Sequence, residues 1–112
     1  MGSENQIKIF KDQKIRSKWD KDVEEWFFSI IDVVGVLSQS TTPKRYWSDL
    51  KKKLKDESGK PYENIVRLKM PAADGKMRLT DVTNTEQILR IIQSIPSPNA
   101  EPFKRWLAKV GK

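Results

Sequence analysis

The chain has 112 residues and a formal net charge of +7, with 22 lysines and arginines against 15 aspartates and glutamates. This length predicts one domain around one modest hydrophobic core. Histidine and cysteine are both absent, which excludes Ser-His-Asp and Cys-His catalysis, disulfides and a cysteine/histidine zinc site. We expect no membrane association, because no apolar run approaches the length of a membrane span and the first residues do not form a signal peptide.

The positive charge is concentrated in the middle third of the sequence. Residues 41–80 carry 11 basic and 5 acidic side chains, whereas residues 1–40 carry 6 basic and 7 acidic ones. Solubility alone does not require such asymmetry, but binding to a polyanion does. The distribution therefore favours a nucleic-acid partner.

The first forty residues predict a small antiparallel sheet followed by a short helix. Residues 7–10, 14–19 and 23–28 have the composition and alternation of strands, with a turn at 20–22. Ser29 and Asp32 have the spacing of a capping box, and the apolar run from Ile30 to Leu37 predicts a buried helix. We expect residues 1–5 to be disordered.

A second helix is predicted from Pro43 to about Lys55, because a threonine pair precedes proline at the first helical position. On a helical wheel Trp47, Leu50 and Leu54 cluster, with Tyr46 beside them. The adjoining arc carries five cations, one hydroxyl and no acid: Lys44, Arg45, Ser48, Lys51, Lys52 and Lys55. A solvated lysine-rich face is the alternative, although such faces usually mix glutamate with lysine.

A β-hairpin with strands at 65–70 and 76–79 is predicted around the turn signal Asp74-Gly75. Alternation predicts one basic face made of Arg67, Lys69, Lys76 and Arg78. The opposite, core-facing side would carry Leu68, Met70, Met77 and Leu79. A sheet edge protected by charge explains the basic residues equally well.

Two further helices are predicted after the hairpin. Residues 83–86 have capping-box spacing, with Thr83 as the cap, and four isoleucines between 88 and 95 share one helix face. Asn99 is predicted to cap a last helix whose apolar face runs from Phe103 to Val110. The predicted fold class is α+β: a small antiparallel sheet, a helix-turn-helix-like helix pair, a β-hairpin wing and two C-terminal helices. The order of these elements, a buried helix, a turn, a cationic helix and a hairpin, is typical of a winged helix-turn-helix.

Several segments of the sequence are typical of one known family. They are residues 26–33, Tyr46-Trp47 before a lysine-rich helix, and residues 68–81 with their continuation through 84–86, 91–98 and 100–111. Residues 68–81 are the most specific of these segments. In these segments the chain resembles the Bro-N family of prophage antirepressors and related proteins of large DNA viruses. The resemblance spans about residues 6–111. It implies DNA binding, a role in relieving phage repression or regulating transcription, and no catalytic residues. Because family members usually carry a second domain, we expect 6–111 to be one Bro-N-like domain that lacks its C-terminal partner domain.

The leading hypothesis is a DNA-binding transcription regulator in the cytoplasm of a bacterial host. Helix 43–55 would enter the major groove of double-stranded DNA, and hairpin 65–79 would be the wing. Arg45 and Ser48, near the helix start, suit base edges, while lysines suit phosphates. The predicted DNA-binding residues are Lys44, Arg45, Ser48, Lys51, Lys52, Lys55, Lys69, Lys76 and Arg78.

Other functions remain open from the sequence alone. The alternative is a protein–protein interaction domain that inactivates a phage repressor without contacting DNA, anchored by Tyr46 or Trp19 if either is exposed. A DNA reader of this size usually dimerises, so a homodimer is a further expectation. We expect no enzyme activity, metal or cofactor, because the candidate acids fall where helix ends, turns and caps explain them. These acids are Asp49, Asp56, Glu57, Glu63, Asp74 and Asp81.

Overall fold

Within the residues that the structure describes, five strands and four helices surround one core. The computed structural model describes residues 3–58, 65–72 and 74–110. In chain order the elements are β1 (Ser3–Phe10), β2 (Gln13–Asp20), β3 (Glu25–Ser29), α1 (Ile30–Ser38), α2 (Pro43–Ser58), β4 (Val66–Pro71), β5 (Met77–Asn84), α3 (Thr85–Gln93) and α4 (Ala100–Val110). The strands form an antiparallel sheet in the order β1-β2-β3-β5-β4. The predicted α+β class is confirmed.

The first three strands form a meander of tight turns. Lys11 and Asp12 connect β1 to β2 with positive φ angles of 46° and 66°, as a two-residue hairpin turn requires. β1 begins at Ser3, which pairs with Asp20, so the sheet extends into the segment 1–5 that we expected to be disordered. β3 begins at Glu25, two residues later than predicted, because residues 21–24 form the turn.

α1 begins where β3 ends, and its first turn ties three elements together. Ser29 caps the helix by accepting a hydrogen bond from the backbone N–H of Asp32 at 3.4 Å, as predicted. The Asp32 carboxylate accepts from the backbone N–H and from Nε of Arg16, at 2.9 and 2.8 Å. Arg16 also donates to the carbonyl of Pro71 at 3.0 Å. The end of the β4–β5 hairpin is thereby held against β2 and α1.

The core lies between the helices and the sheet face that carries Phe10, Ile15 and Phe28. α4 packs on β1, because Phe103 meets the Phe10 ring edge-on at 5.1 Å and Trp106 donates its indole N–H to the carbonyl of Ile9 at 2.7 Å. The remaining core residues come mainly from α1, α2 and α3. In the described part of the chain, no helix combines the length and apolar character that crossing a membrane demands.

α3 begins one residue later than the sequence predicted. Asn84, not Thr83, is its cap, and accepts a hydrogen bond from the backbone N–H of Gln87 at 3.1 Å. Thr83 is instead a fully buried residue of β5. β5 runs to Asn84, well beyond the predicted end at residue 79, because its last residues pair with β3.

Candidate nucleic-acid interface

α2 docks through one apolar face and leaves the opposite side open. Trp47 and Leu50 are buried, and Tyr46 and Leu54 are half-buried against the core. This is the face that the wheel predicted. α2 continues to Ser58, three residues beyond the predicted end at Lys55.

The connection between α1 and α2 is fixed by polar contacts of short side chains. Gln39 takes a left-handed conformation at φ 57° and ends α1 by donating its backbone N–H to the carbonyl of Gly35 at 3.0 Å. Ser38 accepts a hydrogen bond from the N–H of Ser40, and Ser40 accepts one from the N–H of Thr42. These bonds fix where α2 starts, and therefore the direction in which its exposed side points.

One carboxylate of β5 holds the middle of α2. Asp81 accepts hydrogen bonds from the indole N–H of Trp47 at 2.9 Å, from Lys51 Nζ at 3.3 Å and from Arg67 Nε at 3.3 Å. Burial alone would raise the pKa of Asp81, but the Trp47 hydrogen bond and the Lys51 and Arg67 charges outweigh it and lower that pKa below its usual value. We call these four residues the Asp81 cluster. No sequence motif predicts this cluster, because its members are far apart in the chain.

The start of α2 lies beside the hairpin turn. The pKa of Asp74 is lowered mainly by the hydrogen bond from Arg78, and the charge of Lys44 contributes to the same shift. The charge of Lys44 at the start of α2 therefore acts on Asp74 of the hairpin connection, while Trp47 and Lys51 bind Asp81. α2 is thus linked to β5 through these side chains.

The structure brings most of the predicted helix residues together on the open side of α2. Lys44, Arg45, Ser48, Lys52 and Lys55 are all exposed. None of the four cations among them forms an ion pair with an acid in the described ranges. Lys51 differs, because it is half-buried and paired with Asp81. Lys51 therefore helps to hold α2 against β5 through Asp81 and is also part of the basic surface.

The predicted basic face of the hairpin is wrong. The strands pair Lys69 with Leu79, Met70 with Arg78 and Pro71 with Met77. Residues directly opposite each other share a face of the sheet, so Lys69 lies on the same face as Leu79, and Arg78 lies on the face of buried Met70. Lys76 belongs to the connection that precedes β5.

The hydrophobic residues of β5 that were predicted to face the core are exposed instead. Met77 is 50% exposed and Leu79 is 62% exposed. Lys69, Lys76 and Arg78 are also exposed, and Arg78 forms an ion pair with Asp74. The hairpin therefore presents apolar and cationic side chains together.

The two aromatic anchors proposed for a protein partner are not exposed. Tyr46 is half-buried against the core. Trp19 is half-buried and meets the Trp26 ring edge-on at 5.4 Å. The exposed apolar side chains lie elsewhere.

The acids considered for metal catalysis are scattered. In the ranges that the structure describes, no three acidic residues are grouped so that they could hold a metal ion. Asp74 and Asp81 are engaged in ion pairs, and Asp49 is exposed on α2. The side chains of Asp56 and Glu57, and residue Glu63, lie outside the described part of the chain.

A comparison with known protein families gives a match over most of the chain. The family model described as "BRO family, N-terminal domain" (Bro-N) matches residues 14–110, nearly the whole chain. A comparison with the curated proteins and with the solved structures found no match.

Proposed function

This chain belongs to the Bro-N family, and we propose that it binds double-stranded DNA as part of a prophage antirepressor-type transcription regulator in the cytoplasm of a bacterial host. The family is associated with regulators of that type. In this proposal α2 lies in the major groove, and the β4–β5 hairpin lies beside it as a wing.

The observation that carries the proposal is the set of cations on the open side of α2. Lys44, Arg45, Lys52 and Lys55 are exposed and form no ion pair with a described acid. An ordinary solvated helix face pairs its lysines with acids one turn away. Four cations on one helix face, none of them paired with an acid whose side chain the structure describes, suit the closely spaced phosphates of a duplex.

The residues of this surface take different roles. Arg45 and Ser48 lie near the start of α2, the end that a recognition helix usually presents to base edges. Lys44, Lys52 and Lys55 contact phosphates as compact point charges. Lys51 chiefly positions the helix, because Asp81 already engages its ammonium group.

The hairpin adds two exposed cations to the surface. Lys69 and Lys76 are exposed and form no ion pair within the described ranges, whereas Arg78 is engaged by Asp74. The charge of Lys44 acts on Asp74 in the hairpin connection, and in this proposal Lys69 and Lys76 extend the basic surface of α2. They contact the backbone of the adjoining groove.

Fluorescence anisotropy of a labelled random-sequence duplex, measured over a salt series, tests the proposal. We expect log K to fall with log salt concentration at a slope of roughly −3 to −5, since each neutralised phosphate contributes about −0.9. Lys52→Ala/Lys55→Ala should make this slope shallower by about 2. The matched control is Arg105→Ala/Lys109→Ala, which removes two cations from exposed positions of α4 and should leave the slope nearly unchanged.

Two results would overturn the proposal. The first is no binding by the wild type at low salt, where even non-specific binders bind duplex DNA; the repressor-binding alternative would then lead. The second is an equal loss of affinity in the control pair, because total charge rather than α2 would then drive binding. Circular dichroism of each variant verifies that the fold is intact.

A further inference from the structure

Exposed apolar side chains lie on the same hairpin face as a cation. Lys69 pairs with Leu79, and Pro71 pairs with Met77. All four side chains are exposed, and Leu79, at 62%, is the most exposed large hydrophobic residue in the described part of the chain. We call these four residues the hairpin patch.

The sheet itself does not account for the hairpin patch. On the opposite face of the hairpin Met70, Thr80 and Val82 are buried, so this strand pair has a covered side apart from the one that carries the patch. Asp81 lies on the same face as Leu79, two residues away, and is covered by α2 through Trp47. α2 therefore docks at one end of this face and leaves Leu79 and Met77 open. Burying a leucine or methionine side chain stabilises a protein or a complex by about 1.5–3 kcal/mol. Leu79 and Met77 do not contribute this stabilisation while they are exposed.

The charges around the hairpin patch favour a polyanionic partner with an apolar interior. The two acids of the hairpin in the described ranges are engaged: Asp74 pairs with Arg78, and Asp81 pairs with Lys51 and Arg67. Lys69 lies within the patch and exposed Lys76 precedes Met77. Duplex DNA offers phosphates to such cations and stacked bases to the apolar side chains between them.

We propose that Leu79 and Met77 form an apolar wedge that inserts between base steps of the minor groove and kinks the duplex. This inference rests on the proposed DNA binding. α2 occupies the neighbouring major groove, and Lys69 and Lys76 hold the phosphates that flank the kink. Apolar side chains used in this way bend DNA by roughly 20–90° and act best at flexible pyrimidine–purine steps.

The test measures bending and binding on the same duplex. A short duplex with a central TA step carries a donor and an acceptor dye at its ends, so energy transfer reports bending and anisotropy reports binding. Wild type should raise energy transfer on binding. Leu79→Thr/Met77→Thr, which keeps residues suited to strands, should abolish most of that rise while the affinity falls by about tenfold or less. Leu79→Ala is a milder second variant and should give an intermediate rise.

The matched control is Ile7→Thr/Ile9→Thr. These two residues are also exposed apolar positions two apart on a strand, at 55% and 52% exposure. The control should bend DNA as the wild type does. The wedge is overturned if the wild type binds DNA without bending it, or if the Leu79/Met77 variant bends DNA fully. Either result leaves the proposed DNA binding in place. The hairpin patch would then suit a protein partner. No binding by any of these proteins overturns the proposed function itself.

Discussion

Replacing Asp81 with alanine should lower the free energy of unfolding by about 2–3 kcal/mol. The largest part comes from the indole N–H of Trp47, which donates to this carboxylate at 2.9 Å from a side chain that is only 2% exposed. A hydrogen bond to a charged group contributes about 1.5–3 kcal/mol. Lys51 and Arg67 are 40% and 70% exposed, so water screens each ion pair to less than about 1 kcal/mol.

Urea unfolding monitored by circular dichroism measures this loss, and the melting temperature should fall by roughly 10 °C. Asp81→Asn is the companion variant. It keeps an oxygen acceptor for the Trp47 indole but removes the charge, so it should cost only about 1 kcal/mol. An alanine variant within 0.5 kcal/mol of wild type would refute the idea that Asp81 anchors α2. Equal losses for alanine and asparagine would refute the leading role of the indole hydrogen bond.

The same cluster gives the protein a defined response to acid. The pKa of Asp81 in the folded protein lies below its usual value, because the Trp47 hydrogen bond and the neighbouring cations outweigh the effect of burial. The carboxylate therefore stabilises the fold fully above the ordinary aspartate pKa of about 4, and this stabilisation is lost as the pH falls through the lowered value. The stability difference between wild type and Asp81→Asn should be constant near neutral pH and shrink below about pH 4.

Two further substitutions test the roles assigned above. Asn84→Ala should lower the free energy of unfolding in urea by about 1 kcal/mol, because it removes the side-chain cap of α3. The control is Asn84→Asp, which keeps the hydrogen-bond acceptor. An equal loss of stability in both variants would contradict the capping role. Lys51→Ala should lower the melting temperature by a few degrees through its contact with Asp81, whereas Lys52→Ala should leave it unchanged and weaken DNA binding more. Equal melting temperatures for these two variants would remove the structural role of Lys51.

The helices were predictable because their signals lie within a few residues of one another. Ser29 does cap α1 by accepting from the backbone N–H of Asp32, three residues later, while the Asp32 carboxylate, the other half of the predicted box, binds Arg16. Pro43 does begin α2, and the wheel correctly assigned Trp47 and Leu50 to the core. Each of these inferences needs only the geometry of one helical turn.

The hairpin was not predictable to the same degree, because its register depends on the length of its connection. A two-residue turn at Asp74-Gly75 would pair even-numbered residues of one strand with odd-numbered residues of the other, which gives the predicted basic face. The strands instead close at Pro71 and Met77, with Ala72 donating to the carbonyl of Lys76 at 2.8 Å. A change of one residue moves every side chain of a strand to the other face.

The Asp81 cluster was invisible in the sequence for a related reason. Trp47 and Asp81 lie 34 residues apart, and no local period links a helix residue to a particular position of a later strand. Only the tertiary fold, in which Trp47 of α2 reaches Asp81 of β5, brings the two side chains together. Many sequences contain a basic helix with a tryptophan and a later strand with one acidic residue. This combination is therefore too common to predict such a contact.

The cations of the predicted DNA-binding surface have two roles: some stabilise the fold through ion pairs, and others are available to bind a partner. Lys51 and Arg78 were predicted to contact DNA, but each already faces a carboxylate, Asp81 and Asp74 respectively. A contact between either residue and a phosphate would compete with that pair, so its contribution to counterion release is reduced. The six predicted cations that pair with no acid in the described ranges give a salt-dependence slope of at most about −5. A slope near −7, which all eight would give at about −0.9 each, would mean that DNA binding opens both internal ion pairs and so reshapes the contact between α2 and the hairpin.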